Sequence, residues 1–361
     1  MPMEGGKISD DTRIRAAQPT IAKLREMGAR VVVTSHLGRP KGVDKTLSLA
    51  PVAAAMGLAF ARDCVGPDAE AAVAALKDGE AVLLENVRFH PEEEENDAAF
   101  AKKLAALADV YVNDAFAASH RAHASVVGVA EYLPAYAGLL MESELEALHR
   151  ALDEPRRPLT AIVGGAKVST KAGLLRNLLP RVQYLIVCGA MANTFFKARG
   201  ADVADSLVED SALDEARRVE KEAGDKLLLP VDTLCAQKIE SGVPTRVSGV
   251  NHVESGWMIL DIGPRSIELF RDRLRGAGTV VWNGPAGVFE VPEFSRGTRA
   301  IGEAIAASGA YSLVGGGDTA AAVEKLGLTG FSHISTGGGA TLEYLEGKEL
   351  PGVSILQDVA Q

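Results

Sequence analysis

One stretch of this chain combines residue types that are suited to binding an anion. Residues 311–319, YSLVGGGDT, interrupt an apolar run with three glycines, an acid and a threonine. A strand-to-helix turn of this kind exposes backbone N–H groups at the start of a helix, where an anion can bind. Taken alone, the stretch is better interpreted as a tight turn in which Asp318 or Thr319 caps the helix. Other segments of the chain change that interpretation.

A second glycine-containing segment carries two lysines. Residues 159–171, LTAIVGGAKVSTK, read as a strand, two glycines and the start of a helix. Lys167 and Lys171 are four positions apart, so they are predicted to lie on one helix face and to reach a polyphosphate. Two exposed lysines are an equally good interpretation of this segment alone. The GxxxxGK[ST] phosphate loop is absent, and no predicted strand leads into a GxGxxG dinucleotide motif.

Two further segments add to this set of turns. In residues 280–290, VVWNGPAGVFE, the Asn-Gly-Pro sequence indicates a loop, and Glu290 beyond it is suited to hold a ribose hydroxyl. Residues 334–347 supply another glycine-rich helix start, and two such helix ends at one edge would attract an anion strongly. A carboxylate such as Asp318 beside exposed amides suits Mg²⁺ that is bound mainly through nucleotide phosphates.

The candidate anion-binding side chains in the first half of the chain are sparse cations near predicted strand ends or a helix start. Each alone is typical of a surface arginine or a loop histidine, but their placement predicts convergence at one edge of a sheet. Guanidinium groups match the geometry of carboxylates and phosphates. His120 and His123 have no suitable third metal ligand near them in sequence, so anion contact or structural hydrogen bonding is favoured there. The cations are Arg13, His36, Arg39, Arg88 and Arg121.

The elements that must position these residues follow from an alternation of short apolar runs with helical patterns. Strands that are apolar on both faces and bounded by helices predict α/β units on parallel sheets. Six predicted strands after residue 158, including 258–263, end in Gly or Asp, which predicts one ligand-binding edge at their carboxyl ends. The predicted strands cover residues 29–35, 81–86, 110–115, 159–165, 184–189, 227–232, 258–263, 279–284, 311–317 and 333–339.

Length and composition limit the class of protein. A chain of 361 residues, 47% hydrophobic, is long enough for two domains, and the charged, proline-containing segment 153–158 is the predicted boundary. A net charge of −10 argues against a general nucleic-acid binder. The three separated cysteines indicate neither a disulfide framework nor a zinc site, and no membrane span or secretory signal is evident. We therefore expect a cytoplasmic protein.

Together these segments resemble the phosphoglycerate kinase family. The motifs occur in the order of the family across essentially the whole chain, and they are specific as a set: SHLGRP, LLENVRF, VNDAFAASHRAHAS, AIVGGAKVSTK, VVWNGPAGVFE, GGGDT and STGGGATLEYLEGKELPG. The resemblance implies two Rossmann-like three-layer domains with mainly parallel sheets, joined by a hinge helix. It implies an N-terminal 3-phosphoglycerate-binding domain of residues 1–152 plus 345–361, and a C-terminal Mg-nucleotide-binding domain of residues 153–344.

The reaction implied by the resemblance is reversible phosphoryl transfer between 1,3-bisphosphoglycerate and ADP, which gives 3-phosphoglycerate and ATP in glycolysis. It would proceed by in-line transfer after domain closure, in a monomer that binds neither nucleic acid nor a membrane. Mg²⁺ is the implied cofactor, with Asp318 as its protein ligand. No general base is required, because the attacking oxygen is already anionic. Arg13 and Lys171 are the implied catalytic residues.

The resemblance also assigns binding roles position by position. The residues expected to bind 3-phosphoglycerate are Arg13, His36, Leu37, Gly38, Arg39, Arg88 and Arg121. The residues expected to bind the nucleotide are Lys167, Lys171, Gly189, Asn283, Glu290, Gly316, Gly317, Asp318 and Thr319. The residues expected to stabilise the transferring phosphate are Gly337, Gly338 and Gly339.

Two departures from the family pattern affect these expectations. Cys188 and Ala190 stand where the family usually has glycines, so their side chains are expected to narrow the adenosine pocket beside Gly189. The family normally opens with a strand and an R-x-D-[FL]-N-V-P turn, whereas this chain begins MPMEGGKISDD, with Met1 in the position of that valine. We interpret this start as a mis-called start codon, which the upstream genomic sequence would test.

Two alternative functions stay open at the level of the sequence. The first is a truncated, inactive chain that binds Mg-nucleotide without turnover, because a missing first strand would weaken substrate binding. The second is a two-domain enzyme for a nucleotide sugar or a dinucleotide, which the missing GxGxxG motif disfavours. Titration with MgADP and with NAD would separate the second alternative from the kinase.

Overall fold

The structure, a computed structural model, describes residues 3–4, 7–8 and 10–357. The chain forms two compact units, Met1–Leu145 with Glu349–Gln361, and Glu146–Lys348. The expectation about Met1 lies outside the described residues. Within the described parts of the chain, no helix combines the length and the apolar character needed to cross a bilayer.

The described residues of the first unit form three small sheets. Strand β5 lies at the centre of a parallel sheet with order β3-β5-β4, β6 pairs with β7 in parallel, and β1 pairs with β2 antiparallel. The elements are, in chain order, β1 (Met3–Glu4), β2 (Lys7–Ile8), α1 (Thr12–Glu26), β3 (Val31–Val33), α2 (Ala50–Met56), β4 (Ala59–Ala61), α3 (Pro67–Ala74), β5 (Ala81–Leu84), α4 (Ala98–Ala105), β6 (Tyr111–Asn113), β7 (Ala135–Ala137) and α5 (Leu139–Leu152), which continues into the second unit.

Strand β5 shows why this part of the sequence folds as a covered parallel sheet. All four of its residues are buried. Val82 and Leu84 pack into one apolar cluster with Phe100, whereas Leu83 packs into a second cluster with Ile14 and Leu37. Successive side chains of a strand point to opposite faces, so an uninterrupted apolar run requires cover on both sides.

The second unit is built on a six-stranded parallel sheet with order β10-β9-β8-β14-β15-β16. Its elements are β8 (Leu159–Val163), α6 (Ala172–Leu178), β9 (Tyr184–Val187), α7 (Ala190–Ala198), α8 (Leu213–Ala223), β10 (Leu227–Leu228), β11 (Asp232–Ala236), β12 (Arg246–Gly249), β13 (Met258–Ile262), α9 (Pro264–Leu274), β14 (Thr279–Asn283), α10 (Arg296–Ala307), β15 (Tyr311–Gly315), α11 (Gly317–Lys325), β16 (His333–Ile334) and α12 (Gly339–Leu345). The predicted α/β class with mainly parallel sheets is confirmed.

One predicted strand of the second unit has a different place in the fold. Strand β13 pairs antiparallel with β11 in a separate sheet of order β12-β11-β13. The prediction that residues 258–263 end at the same edge as the other glycine-ended strands is therefore wrong. An apolar run that ends in glycine indicates a buried strand, but it does not identify the partner strand. The other predicted strands all take part in parallel sheets.

The chain passes from one unit to the other within helix α5, after Leu145, and the first unit resumes at Glu349. The boundaries predicted after residues 152 and 344 thus differ from those of the compact units. The returning segment carries α13 (Pro351–Ser354). Asn113 Nδ2 donates to the carbonyl of Gly352 at 2.8 Å, and the amide of Gly352 donates to the carbonyl of Ser119 at 2.8 Å. The assignment of one ligand to each unit stays a prediction.

A buried carboxylate joins β13 to the segments that precede and begin α10. Asp261 is 1% exposed, and its carboxylate accepts hydrogen bonds from the amides of Ile262 and Gly297, both at 2.8 Å. A Cβ added at Gly287 would lie 2.5 Å from Asp261 Oδ1, so the loop backbone packs directly on the carboxylate. Burial raises the pKa of Asp261 to about 7, although these hydrogen bonds act in the opposite direction.

We predict that Asp261 makes the stability of the second unit depend on pH. Because its pKa is raised in the folded state, folding favours the protonated form. The contribution of Asp261 to stability should be greatest at low pH and should fall as the pH rises from about 4 through about 7, by up to about 1.4 kcal/mol per pH unit. The stability of Asp261→Asn relative to the wild type should therefore increase over this range, as measured by calorimetric unfolding. Asp225→Asn, at an exposed position, is the control, and a pH-independent difference for Asp261→Asn would contradict the prediction.

Candidate active site

The carboxyl ends of four neighbouring parallel strands of the second unit carry interlocked turns. We call this region the glycine edge; it comprises residues 164–165 after β8, 189 after β9, 283–285 at the end of β14, and 315–317 at the end of β15. The amide of Gly164 donates to the carbonyl of Asn283 at 2.9 Å, and the amide of Gly165 donates to that of Pro285 at 3.2 Å. These two hydrogen bonds join the turns after β8 and β14 into one layer of backbone.

Glycine is required at two of these positions because peptide groups approach each other closely. A Cβ at Gly284, where φ is +105°, would lie 2.2 Å from the carbonyl oxygen of Gly164. A Cβ at Gly189, where φ is +70°, would lie 2.6 Å from the amide nitrogen of Gly165. No side chain fits in these gaps, and L-residues rarely adopt such φ values. At these two positions the edge consequently presents backbone rather than side chains.

Cys188 and Ala190, the two residues beside Gly189 that depart from the family pattern, differ in their surroundings. Cys188 is fully buried and belongs to the apolar cluster that includes Ile186 and Trp282. Its thiol therefore lies in the core, and the expectation that it narrows a pocket at the edge is not supported. Ala190 is the first residue of α7 and is half-buried.

A hydrogen-bonded network of side chains enters the glycine edge. Lys171 Nζ donates to Asn283 Oδ1, and Asn283 Nδ2 donates to the carbonyl of Gly315 at 3.1 Å. Thr319 Oγ1 donates to the same carbonyl at 2.8 Å and accepts from the amide of Gly284 at 2.7 Å. The predicted residues Lys171, Asn283 and Thr319 are thus brought together.

The ammonium group of Lys171 lies in a partly desolvated position. Burial lowers the pKa of Lys171, while the carboxylates of Asp318 and Glu346 act in the opposite direction. The side chain is half-buried, at the cap of α6. A cation in this position is electrostatically suited to an anionic group at the edge, because poor solvation strengthens its field.

Lys167 has a different environment from Lys171. It is exposed in the turn that precedes a 3₁₀ helix at Ser169–Lys171, and α6 begins only at Ala172. The prediction that the two lysines lie on one helix face is therefore wrong. The spacing of four residues places side chains together only where the backbone is helical. A role for Lys167 in binding stays a prediction.

Helix α11 begins at the glycine edge. Gly316 precedes it with φ of +91°, Gly317 and Asp318 are exposed in its first turn, and Thr319 is buried. The N-terminus of a nine-residue helix carries partial positive charge and free amides, which favour an anion. One exposed carboxylate beside such an anion site fits Mg²⁺, which binds proteins through few carboxylates and completes its shell with water and phosphate. The donor set of Asp318 therefore fits the implied metal.

The second glycine-rich helix start lies beside the first one. Strand β16 is the neighbour of β15, and α12 begins at Gly339 after Gly337 and Gly338. The amide of Gly337 donates to Ser335 Oγ at 3.1 Å, and a Cβ at Gly315 would lie 2.9 Å from Thr341 Cγ2.

Glu290 lies beyond the turn at residues 283–285, which ends β14. It is exposed, and its backbone carbonyl accepts a hydrogen bond from Lys325 Nζ at 2.9 Å.

The first unit gathers positive charges at the carboxyl ends of β3, β5 and β6. We call His36, Arg39, Arg88, Arg121 and His123 the cation cluster. Burial lowers the pKa of Arg88, and the charges of Arg121 and Arg39 act in the same direction. Arg88 is 6% exposed; its Nη1 donates to the carbonyl of Gly38 at 2.7 Å, and its Nε lies 3.1 Å from Glu94 Oε1 without hydrogen-bonding geometry.

Burial and the neighbouring positive charges favour the neutral form of the histidines in the cation cluster. Burial, followed by the charges of Arg88 and Arg121, lowers the pKa of His36 to about 3. The pKa of His123 is also lowered, by burial and then by Arg88. His123 Nδ1 lies 3.7 Å from Glu93 Oε1. A multivalent anion is the type of ligand that would relieve the repulsion among these groups.

Leu37 and Arg13 take different positions near this cluster. The side chain of Leu37 is buried in the core, and its amide and carbonyl both bond to Asn86, at 3.3 and 2.8 Å. Arg13 is exposed in the first turn of α1. The next residue, Ile14, packs in the same apolar cluster as Leu37, which brings the start of α1 beside the loop that carries His36.

The comparisons with known proteins agree with this architecture. The family model described as phosphoglycerate kinase matches residues 1–348. The chain belongs to the phosphoglycerate kinase family. Curated relatives named phosphoglycerate kinase include those of Moorella thermoacetica, 55% identical over 369 aligned positions, and Pelotomaculum thermopropionicum, 54% identical over 369. Each alignment covers 99% of this chain and 94% of the relative.

Solved structures of the family resemble the fold closely. That of phosphoglycerate kinase from Coxiella burnetii has a TM-score of 0.91 and 47% identity, and it covers 98% of this chain and 93% of the other. That from Pyrococcus horikoshii OT3 has a TM-score of 0.86 and 35% identity over the same shares. Recognition of the family from the motifs is thus confirmed, and the chain is assigned to a family of kinases.

Sequence reasoning missed Asn86 as a residue that positions the cation cluster. Asn86 is fully buried; its Oδ1 accepts from the amides of Leu37 and Arg88, and its Nδ2 donates to the carbonyls of Leu37 and Leu47. The sequence feature that could have identified Asn86 is an apolar run, typical of a buried strand, that continues into polar residues with no turn-forming residue between them. A buried amide needs partners, and here those partners are the loops themselves.

We predict that Gly316→Ala destabilises the glycine edge, whereas Gly317→Ala does not. A Cβ at Gly316 would lie 2.9 Å from Asn283 Nδ2, at a φ of +91° that alanine rarely adopts. The strain should lower the stability of the second unit by about 1–3 kcal/mol. A Cβ at Gly317 meets no atom within 4 Å, so this neighbour is the matched control. Equal unfolding temperatures for the two variants in calorimetry would contradict the prediction.

We predict that an anion bound at the cation cluster raises the pKa of His36. Negative charge stabilises the imidazolium, so the pKa should rise from about 3 by about 1–3 when sulfate or phosphate is present. Imidazole C–H resonances followed by NMR against pH would measure it. His149, an exposed histidine of the second unit, serves as the internal control. An unchanged His36 titration in saturating phosphate would show that the anion binds elsewhere.

Proposed function

We propose that the protein catalyses reversible phosphoryl transfer between 1,3-bisphosphoglycerate and ADP, which forms 3-phosphoglycerate and ATP in glycolysis. The single observation that carries this proposal is the network of Lys171, Asn283 and Thr319 at a backbone-lined edge, in a chain of the phosphoglycerate kinase family. The names of the curated relatives support the same reaction.

The nucleotide belongs, in this proposal, to the glycine edge of the second unit. The free amides at the start of α11 and the cation of Lys171 suit its phosphates, and Glu290 is at an exposed position suited to the ribose. Mg²⁺ held by Asp318 would neutralise charge on the phosphate oxygens. Lys167 supplies a second, exposed cation.

The acid substrate belongs to the cation cluster of the first unit. Arg39, Arg88 and Arg121 are matched in geometry to carboxylate and phosphate groups, and the repulsion among them favours a polyanionic ligand. The neutral imidazole of His36 is suited to hydrogen-bond a substrate hydroxyl or oxygen without adding charge. The carbonyl of Gly38 orients Arg88 within this group.

Catalysis in this proposal depends on positioning and on electrostatic stabilisation. Phosphoryl transfer needs little covalent help from the protein, and the attacking oxygen is already anionic, so no general base is assigned. After the domains close, Arg13 and Lys171 would stabilise charge on the transferring group during in-line transfer. The amides of Gly316, Gly317 and Gly337–Gly339 would add fixed dipoles aimed at the same charge.

The test of the proposed function is a coupled assay of the purified chain with 3-phosphoglycerate and MgATP, together with titrations by MgADP and by NAD. Phosphoryl transfer to 3-phosphoglycerate would support the proposal. Saturable MgADP binding without turnover would support the inactive-chain alternative instead. Binding of NAD in place of MgADP would support the dinucleotide alternative.

We predict that Arg13→Ala and Lys171→Met lower kcat by at least about 100-fold, because each removes a cation from the transferring group. Arg13→Ala should leave MgADP affinity nearly unchanged, as measured by calorimetric titration. Arg15→Ala, on the same helix, and Lys221→Met, on α8, are the matched controls with exposed side chains. If Arg13→Ala weakened MgADP binding as much as it slowed turnover, Arg13 would have no catalytic role.

A further inference from the structure

Three side chains with metal-binding donors meet at the carboxyl edge of the first unit's parallel sheet. Asp63 and Cys64 follow β4, and His90 follows β5 after a 3₁₀ helix at Val87–Phe89. These strands are hydrogen-bonded neighbours, with Ala61 opposite Leu84, so the segments that leave them emerge side by side. His90 is 27 positions from Asp63 in the sequence, and the pairing of the strands brings it beside Asp63 and Cys64.

The donor atoms are close enough to share one ion. One carboxylate oxygen of Asp63, Cys64 Sγ and one ring nitrogen of His90 all lie within 4.8 Å of one another. Zinc bonds of about 2.0–2.3 Å in a tetrahedral site separate ligand atoms by roughly 3–4 Å. Small side-chain rotations would therefore convert the observed arrangement into a coordination sphere. Asp63 Oδ1 and His90 Nε2, now 2.7 Å apart, would separate slightly.

The chemistry of the donors selects the kind of metal. A thiolate and an imidazole favour zinc and similar transition metals over Mg²⁺ and Ca²⁺, which prefer oxygen ligands. Three protein ligands leave a fourth tetrahedral position for water. The site therefore differs in ligand class from the proposed Mg²⁺ site at Asp318.

The surroundings hold the three ligands in place. Cys64 is fully buried, and its amide donates to Asp63 Oδ1 at 2.7 Å. The imidazole of His90 packs against the ring of Phe100, with centroids 5.2 Å apart. Burial and then the charge of Asp63 raise the pKa of the Cys64 thiol, so without metal the thiol keeps its proton. A bound dication reverses that balance, because thiolate coordination offsets the unfavourable burial of charge.

We propose that Asp63, Cys64 and His90 bind one Zn²⁺ ion. The spacing of the cysteines in the sequence does not reveal this site, because it uses a single cysteine and ligands from two strand ends. The proposal is independent of the phosphoryl-transfer reaction.

Binding of Zn²⁺ and of Co²⁺ to the intact chain, without nucleotide or Mg²⁺, tests the proposal. We expect one equivalent of Zn²⁺ to bind in a titration against a chromophoric chelator. Co²⁺ in the same site should give a thiolate charge-transfer absorption band, which Zn²⁺ should abolish by displacement. Absence of that band from the wild-type protein would overturn the proposal, whatever the behaviour of the variants.

Variants at the proposed ligands, compared with variants at another cysteine and another histidine, test whether the metal binds at this site. Cys64→Ala should remove the Co²⁺ band, and both Cys64→Ala and His90→Gln should weaken Zn²⁺ binding by at least about tenfold. Cys235→Ala, at another buried cysteine, and His149→Gln, at an exposed histidine beside Asp153, are the matched controls and should keep both properties. Circular dichroism would verify that each variant is folded. Unchanged Zn²⁺ affinity in folded Cys64→Ala would overturn the proposal.

Discussion

The close approach of peptide groups at Gly164 and Gly284 is the constraint on which the glycine edge depends. Strands β8 and β14 are adjacent and parallel, so their turns leave the sheet at the same point, and a Cβ at Gly284 would lie 2.2 Å from the Gly164 carbonyl oxygen. Trp282, fully buried beneath the edge, donates from Nε1 to the carbonyl of Gly284 at 2.9 Å and holds that turn from the core side. Since no side chain fits there, the edge presents amides and admits only a few polar side chains.

The cation cluster depends on the opposite arrangement, in which side chains rather than backbone carry the charge. Burying Arg88 near other guanidinium groups is unfavourable by itself. The carbonyl of Gly38 and the carboxylate of Glu94 offset part of that repulsion, and the neutral state of His36 avoids adding to it. What remains is an excess of positive charge, which is the condition for binding an anion in a protein whose net charge is −10.

One rule of topology accounts for the glycine edge and for the group of Asp63, Cys64 and His90. Parallel strands end at a common edge, and residues just beyond neighbouring strands meet there regardless of their separation in sequence. The rule places Lys171 beside Asn283 in the second unit, and Asp63 beside His90 in the first. Membership of the phosphoglycerate kinase family supports functional roles for the first pair, whereas the chemistry of the donors alone supports a role for the second.

The sequence by itself determined the α/β class, the position of most parallel strands and the family. Strands that are buried on both faces are apolar throughout, and the turns after them contain glycine, so both features can be recognised from residue type. It could not determine that β13 joins an antiparallel sheet, since an apolar run records burial and not the identity of the partner strand. Only the tertiary structure separated the half-buried Lys171 from the exposed Lys167 and placed Asn86 between two loops. Those outcomes depend on contacts between segments far apart in the chain, which local patterns do not encode.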